Sequence, residues 1–281
     1  MFALRLLTSF LLVTATVQAQ SPEIKIVSDL SYKHGDQLTP YETERCKLDL
    51  YLPTGVKDFP TLVWLHGGGL TAGSKDGKQQ PPIARHFAEQ GIAMAVVNYR
   101  LSPHATYPAY LEDSAAAFAW VEKHIAEYGG AMNRVFLGGH SAGAYLTLMV
   151  SMDDQYLKAS GSDISHIAGI VPVAGQTLTH FTIRIERGLP KDQIIADAAS
   201  PLYHVRKDAP PMLILYAEKD MAMRAEENEL LAAALRHAGH SKLTVKMIQD
   251  RDHGSVAHDM ANTDDDAFAE VLNFIQQAKV E

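Results

Sequence analysis

A serine lies between two glycines in the segment Gly139-His140-Ser141-Ala142-Gly143. The apolar run "RVFL" precedes this segment and "AYLTLMV" follows it, which predicts a turn from a strand into a helix. A serine hydroxyl is a weak nucleophile at neutral pH and has to be placed beside a base. A sharp strand-to-helix turn exposes the hydroxyl and requires small flanking residues. Ser141 is therefore the predicted nucleophile, and the N–H of Ala142 is a predicted donor to an oxyanion.

Three glycines in succession follow another predicted strand. The run "TLVWL" leads into His66, Gly67, Gly68 and Gly69. Successive glycines let the backbone approach a ligand and turn its N–H groups toward it. Gly67 and Gly68 are the predicted oxyanion donors of this loop, and His66 is expected to brace the loop. A phosphate-binding loop is the alternative, but Gly73-Ser74-Lys75 has the wrong order for that motif.

The base and the acid are predicted after later strands, because a serine nucleophile needs a histidine that a carboxylate orients. His253, in "QDRDHGS", follows the last predicted strand and is the predicted base. Asp220, in "LILYAEKD", stands at the end of a buried strand and is the predicted acid. Glu218 is the rival acid and His258 is the rival base. Asp252 adjoins His253 in the chain but is expected to point elsewhere.

The order of these motifs resembles that of serine esterases with the α/β-hydrolase fold. The motifs HGGG, "NYRLSP", GHSAG, "YAEKD" and "DHG" follow one another over nearly the whole chain after residue 19. The chain resembles the HGGG-bearing carboxylesterases, most closely the small bacterial kind often called ferulic-acid-esterase-like and more distantly the hormone-sensitive lipases. The resemblance implies the α/β-hydrolase fold, the order serine, acid, histidine, and an acyl-enzyme on Ser141. The N-terminal sequence is short for a hormone-sensitive-lipase cap, so no large cap is expected.

Alternating strand and helix patterns predict the framework that positions these residues. Short apolar runs bounded by Gly, Pro or charge are typical of parallel strands covered on both faces. The runs span residues 61–65, 92–99, 134–139, 167–175 and 211–218. The alternating stretch "KLDLYLP" predicts an antiparallel strand at a sheet edge, and residues 242–250 predict another strand near an edge. Amphipathic segments between the strands predict one α/β domain over residues 20–281, with helices on both faces of a mostly parallel sheet.

One interval interrupts this alternation. Residues 176–209 contain no strong strand pattern and are predicted to form loop and short helix. Long irregular intervals within a domain often serve as lids or binding loops. A short lid or substrate-binding insertion is therefore predicted there, with a tolerated surface excursion as the alternative.

Other reactive side chains are expected to be structural. Asp113 begins an amphipathic segment and is expected to pair with Arg100. Cys46, the single cysteine, is expected to be a buried thiol. His140 fills the variable position of the serine motif and is expected to line the pocket. Three aromatic residues are assigned to the core: Trp64, Tyr99 and Trp120.

The N-terminal residues 1–19 have the pattern of a signal peptide. One basic residue, Arg5, precedes an apolar stretch that is too short for a membrane span, and Val17-Gln18-Ala19 resembles a cleavage site. Export to the periplasm or the exterior is therefore expected, without stable membrane insertion after cleavage. An N-terminal anchor or a buried helix is the alternative.

Charge and composition limit the partners. The net charge of −8 argues against nucleic acid, against anionic membranes and mildly against strongly anionic substrates. No pair of histidines has metal-ligand spacing, so neither a metal nor a cofactor is expected. The expected ligand is a small-molecule or carbohydrate ester, and the sequence leaves the oligomeric state open.

The predicted function is a secreted serine esterase for acyl groups of modest size, such as acetyl or feruloyl groups on carbohydrates. An amidase or formamidase would use the same three residues. A peptidase of this fold would usually carry a second domain, and a binding protein of this fold would normally have lost one of the three residues. These alternatives remain open from the sequence.

Overall fold

The computed structural model describes residues 23–278, so the predicted signal peptide lies outside the described residues. Eight strands form one sheet within this range. In chain order they are β1 Ile24–Ser31, β2 Lys47–Pro53, β3 Phe59–Leu65, β4 Ala93–Val97, β5 Gly130–His140, β6 Gly169–Val173, β7 Met212–Lys219 and β8 Leu243–Asp252. Their order across the sheet is β1-β2-β4-β3-β5-β6-β7-β8. β2 is antiparallel to both β1 and β4, and the other neighbours are parallel, as predicted.

Helices alternate with these strands along the chain. Those between residues 23 and 278 are α1 Pro40–Arg45, α2 Gln80–Glu89, α3 Ala109–His124, α4 Ala142–Met152, α5 Gln155–Ala159, α6 Phe181–Glu186, α7 Arg224–His237, α8 Ser255–His258 and α9 Asp266–Gln277. In the described part of the chain, no helix combines the length and the apolar character that crossing a bilayer requires.

Helices cover both faces of the sheet and divide the core into two clusters. Along β3, Val63 and Leu65 join one cluster, whereas Leu62 and Trp64 join the other. Side chains of α3, α4 and α7 pack in the first cluster, and side chains of α2 and α9 pack in the second. The continuous apolar runs of the sequence reflect this burial on two faces.

The prediction that β2 forms a sheet edge is wrong. β1 occupies that edge, and β2 lies between β1 and β4. Its polar residue Asp49, which suggested a solvated face, is 4% exposed. The Nζ of Lys75 lies 3.0 Å from the Asp49 carboxylate and neutralises it. β8 does lie at an edge, as predicted.

The interval 176–209 holds α6 and a short 3-10 helix at Pro201–His204. Its first five residues, 176–180, are buried, whereas most of residues 187–197 are exposed or half-buried. The N–H of Leu202 donates to the carbonyl of Thr177, which ties the two ends of the interval together. The interval is thus partly built into the domain, and its function as a lid remains a prediction.

Most of the side chains assigned to structure are placed as expected. Arg100 forms a bidentate pair with Asp113, at 2.8 Å for Nε–Oδ2 and for Nη2–Oδ1. Burial raises the pKa of the Cys46 thiol to about 12, so the thiol stays protonated. Trp64 and Tyr99 are buried, but Trp120 is only partly buried. Trp120 lines an open surface cavity of about 950 Å³, which contains none of the predicted site residues.

Candidate active site

Ser141 lies at the junction of β5 and α4 in a strained backbone conformation, with φ +56° and ψ −113°. Its N–H donates to the carbonyl of Val173 at 2.8 Å, which fixes the turn to β6. The adjacent chain leaves no room for a side chain at Gly143, since a Cβ there would lie 1.9 Å from the carbonyl oxygen of Leu65. The second glycine of the motif is therefore required by the close approach of β3, and the serine is held outward.

His253 bridges Ser141 and Asp220. Its Nε2 lies 2.8 Å from Ser141 Oγ, and its Nδ1 lies 2.6 Å from Asp220 Oδ1. Because the carboxylate can only accept, Nδ1 carries the proton and Nε2 is free to accept from the serine hydroxyl. The structure thus brings together the three residues that were predicted from distant parts of the chain.

The Asp220 carboxylate is almost fully buried yet well supplied with donors. Its side chain is 2% exposed, and it accepts hydrogen bonds from the N–H groups of Met221 at 2.7 Å and Ala217 at 3.2 Å. Burial opposes its ionised form, but the hydrogen bonds from His253 and these amides prevail and lower the pKa of Asp220. Asp220 therefore stays ionised at neutral pH and can stabilise a protonated His253.

The rival residues lie elsewhere. Glu218 is exposed and accepts from the N–H of Asp250 at 2.9 Å. The ring of His258 packs edge-on against His140, with 5.6 Å between ring centroids. Asp252 points away from His253, as expected, and accepts from the N–H of Ser255 at 2.8 Å. In the range 23–278 no group of three or more His, Cys, Asp or Glu is arranged to hold a metal ion.

The glycine loop turns tightly beside Ser141. Gly68 has φ +121°, and a Cβ there would lie 2.2 Å from the carbonyl oxygen of Ala72. A Cβ on Gly67 would lie 3.4 Å from the Cβ of Ser141, so the loop backbone borders the serine. No hydrogen bond among the described residues uses the N–H of Gly67 or Gly68. Ala142 begins α4, where an N–H has no intrahelical acceptor.

His66 braces this loop, as expected. Its Nδ1 donates to the carbonyl of Gly67 at 2.7 Å, and its ring stacks on Tyr99 with 4.3 Å between centroids. The Tyr99 hydroxyl donates to the His66 carbonyl at 2.6 Å. Burial lowers the pKa of His66 to about 4, so the imidazole is neutral at pH 7.

His140 makes a contact that the sequence did not indicate. Its Nε2 donates to the backbone carbonyl of His253 at 2.6 Å, and the two rings lie 5.0 Å apart. Burial, together with the nearby charge of His253, lowers the pKa of His140 to about 3. The neutral imidazole therefore fastens the loop that carries His253 to the serine turn. Because 113 residues separate the partners, no local pattern could reveal the contact.

The start of the interval 176–209 covers the glycine loop. The Thr182 hydroxyl donates to the carbonyl of Gly69, and the ring of Phe181 packs against the same glycine. The ring of His180 lies 5.1 Å from that of Tyr145, in the first turn of α4. These contacts make residues 180–182 one wall of the site.

Comparison with known proteins finds one family model and several relatives that are named esterases. The BD-FAE family model matches residues 48–235. The esterase LipQ of Mycobacterium tuberculosis is 29% identical over 222 residues, which cover 73% of this chain and 51% of LipQ. The carboxylesterase NlhH of the same organism is 34% identical over 151 residues, which cover 53% of this chain and 43% of NlhH. The chain spans about half the length of the curated relatives it matches.

A solved structure has the same architecture. It is described as a truncated form of a carbohydrate esterase from gut microbiota, and it superposes with a TM-score of 0.74 at 19% identity. The superposition covers 92% of this chain and 97% of that one. At this identity the likeness concerns the fold. The family match over most of the sheet and the topology together show that the chain belongs to the BD-FAE family and has the α/β-hydrolase fold.

Proposed function

We propose that this chain is a serine esterase that hydrolyses carboxylic esters with acyl groups of modest size. The observation that carries the proposal is the placement of His253 within hydrogen-bond distance of both Ser141 and Asp220. A nucleophile, a base and an orienting carboxylate in this arrangement are typical of acyl transfer. The esterase names of the relatives LipQ and NlhH support the same reaction.

In the first step Ser141 Oγ attacks the ester carbonyl while His253 Nε2 takes the hydroxyl proton. The C–O bond to the alcohol breaks, and His253 returns the proton to the leaving alcohol. Asp220 holds the imidazole in this orientation and stabilises its charged form. In the second step His253 takes a proton from water, which attacks the carbonyl carbon of the acyl-enzyme. The C–O bond to Ser141 then breaks, and His253 returns the proton to Ser141 Oγ as the acid leaves.

The negative charge that develops on the carbonyl oxygen is held by backbone N–H groups. Those of Gly67 and Gly68 lie in the loop beside Ser141, and that of Ala142 begins α4; none of them has an acceptor in the described hydrogen bonds. Each such donor stabilises the transition state by about 3 kcal/mol. The tight turn at Gly68 and the brace from His66 keep these groups in place before the substrate arrives.

The proposed substrates are acetyl or feruloyl esters of carbohydrates. The likeness to a structure described as a carbohydrate esterase supports this class. We also propose export, on the pattern of residues 1–19, which sequencing the N-terminus of the mature protein would test. A panel of aryl esters of increasing acyl length, with acetylated and feruloylated sugars and aryl formamides, would test the substrate class.

Labelling with a fluorophosphonate tests the nucleophile directly. We expect one adduct on Ser141, no adduct in Ser141→Ala, and turnover of 4-nitrophenyl acetate that falls by about 10⁴-fold in Ser141→Ala and in Asp220→Asn. The exposed variant Glu218→Gln is the matched control and should retain the activity. An unlabelled Ser141 in folded protein, or full activity of Ser141→Ala, would contradict the proposal.

A further inference from the structure

Two buried arginines lie near the proposed active site, and each has side-chain donors that lack an acceptor. Arg224, the first residue of α7, is 6% exposed and follows Asp220 by four residues. Its Nε and Nη1 are buried and have no hydrogen-bond partner among the described residues. Arg184, on α6, is 5% exposed; its Nη1 donates to the carbonyl of Gln193, but its Nε has no partner.

The carboxylates near these two arginines do not form ion pairs with them. Glu227, one turn along α7, is buried, and its charge acts on both guanidinium groups. One of its oxygens accepts from the N–H of Thr177 at 2.9 Å. Asp220 is already engaged by His253. Neither arginine forms an ion pair within 4 Å of a carboxylate in residues 23–278. The exposed Asp192 also acts on Arg184, but within residues 23–278 neither guanidinium group is in direct contact with a carboxylate.

The position of Arg224 connects it to the site rather than to the distant surface. One turn along α7, the Asn228 side chain donates to the carbonyls of Gly175 and Arg224, at 2.9 and 2.8 Å. Gly175 packs closely on Ala144, in the first turn of the helix that follows Ser141. Asn228 thus ties the start of α7, where Arg224 lies, to the helix that follows Ser141.

His180 shows that the arginines also reach the wall over the glycine loop. Burial and then the charges of Arg224 and Arg184 lower the pKa of His180 well below its ordinary value. His180 accepts from the N–H of Thr182 through Nδ1, and its ring packs on Phe181, which contacts Gly69. The two guanidinium groups therefore lie near the neutral imidazole that belongs to this wall.

A buried guanidinium without an anion is costly, because arginine cannot give up its proton and loses its hydration. Proteins retain such a group where a ligand supplies the missing charge. The planar fork of arginine matches a carboxylate with two parallel hydrogen bonds. The unpartnered Nη1 of Arg224 is one of the two end nitrogens of this fork, and the unpartnered Nε is a further donor.

We propose that Arg224 binds a carboxylate of the substrate, so that the preferred esters are those that carry a free carboxylate, such as acylated uronic acids. This inference rests on the proposed esterase function and names its substrate class. The net charge of −8, which argues mildly against anionic substrates, acts at long range. The guanidinium acts at contact distance and is buried, so its charge outweighs the diffuse surface field.

Matched ester pairs test the proposal. 3-Acetoxybenzoate against 3-acetoxybenzamide places the charge on the alcohol side. The 4-nitrophenyl esters of 4-carboxybenzoic and 4-carbamoylbenzoic acid place it on the acyl side. After correction for the hydroxide-catalysed rate of each ester, we expect kcat/KM to favour the carboxylate by about tenfold or more in at least one pair.

Variants of Arg224 test whether this residue causes the preference for the carboxylate ester. Arg224→Met should bring the carboxylate-to-amide ratio close to one, and Arg224→Lys should leave an intermediate ratio because it keeps the charge without the fork. Arg236→Met, an exposed arginine on the same helix, is the matched control and should keep the wild-type ratio. A wild-type ratio of one or less in both pairs, or a ratio unchanged in Arg224→Met, would overturn the proposal.

Binding of the product analogue separates this inference from the proposed function. By calorimetry, 3-hydroxybenzoate should bind the wild-type protein at least tenfold more tightly than 3-hydroxybenzamide, and Arg224→Met should abolish the difference. This result would support the carboxylate site even if no ester were hydrolysed. Equal binding of the acid and the amide, in protein that hydrolyses 4-nitrophenyl acetate, would contradict the proposed carboxylate site and leave the esterase proposal intact.

Discussion

Two buried or partly buried arginines of this molecule differ in whether a carboxylate pairs with them. Arg100 meets the fully buried Asp113 in two parallel hydrogen bonds, and Glu42 lies 3.3 Å from its Nη1. Lys33 completes this group by contacting both carboxylates. Arg224 is more deeply buried than Arg100 and has no carboxylate within ion-pair distance among the described residues.

The difference separates a charge that holds the fold from one that is available to a ligand. The group around Arg100 joins the β1 end, α1 and α3 with two positive charges and the negative charges of Asp113 and Glu42, and the exposed Glu112 lies 3.5 Å from Arg100 Nη2. It is therefore satisfied without any partner from outside. The chain can therefore supply carboxylates to buried arginines where structure requires them. Beside Asp220 it does not, which is why we assign Arg224 to substrate binding.

Breaking the satisfied group should have the largest effect on stability. Asp113→Asn removes the charge that faces Arg100 and Lys33 while keeping the shape of the side chain. We expect a loss of about 3 kcal/mol in the free energy of unfolding, because two cations lose their buried counter-charge. Urea denaturation measures it, with Glu112→Gln, an exposed neighbour on α3, as the control at under about 0.5 kcal/mol. Equal losses for the two variants would contradict the comparison.

A second buried ion pair, between Lys75 and Asp49 of β2, should also lower the stability of the protein when one partner is removed. Lys75→Met leaves the carboxylate of Asp49 buried without its cation, and we expect a loss of about 2–3 kcal/mol. Replacing Asp49 by Asn in the same protein should recover part of that loss, since the orphaned charge is then removed. The exposed Lys78→Met is the control. Denaturation midpoints that show no recovery in the double variant would argue against charge compensation.

Buried histidines sharpen the comparison, because they can release the proton that arginine must keep. The pKa values of His66 and His140 are lowered to about 4 and about 3, whereas an unfolded imidazole titrates near 6.5. Below about pH 6.5 the unfolded chain therefore binds protons that the folded protein does not, and stability should fall as the pH drops from about 6.5 to 4. His66→Asn should make this fall shallower in denaturation at pH 7.5, 6 and 5. A free energy of unfolding that is flat over this range would contradict the prediction.

The smallest effect is expected at the unsatisfied arginine. Arg224→Met should change the free energy of unfolding by about 1 kcal/mol or less, in either direction, because it removes a buried charge that no ion pair compensates. A loss as large as that of Asp113→Asn would show that Arg224 is a structural residue. This measurement is independent of any ester assay.

The residues of the candidate site that lie in contiguous motifs could be predicted. Ser141 and Gly67 stand in segments whose glycines are required by close backbone approach, and such a requirement acts within a few residues. The choice of Asp220 over Glu218 followed from its place just past a strand end, and the structure places it against His253. The strands could also be predicted from their apolar runs, because burial on both faces of the sheet leaves few polar positions in a strand.

Other features could not be predicted because their partners are far apart in the chain. In the sequence, the polar residue Asp49 of β2 indicates a solvated sheet edge. In the structure Asp49 is buried, and Lys75 pairs with it. The charged composition of "RAEENELL" is typical of a solvent-exposed helix, yet the first turn of α7 buries Arg224 and Glu227. The hydrogen bond from His140 to the backbone of His253 joins two loops that only the sheet order brings together.

The amino-acid sequence by itself determined the strand and helix alternation and the motifs that surround Ser141, since both depend on interactions between near neighbours in the chain. Only the tertiary structure decided which buried charges are paired. Pairing depends on distances of 3–4 Å between side chains that lie tens of residues apart, and composition carries no record of those distances. Arg100 and Arg224 have the same chemistry, and the fold alone makes one a structural residue and leaves the other free to bind a ligand.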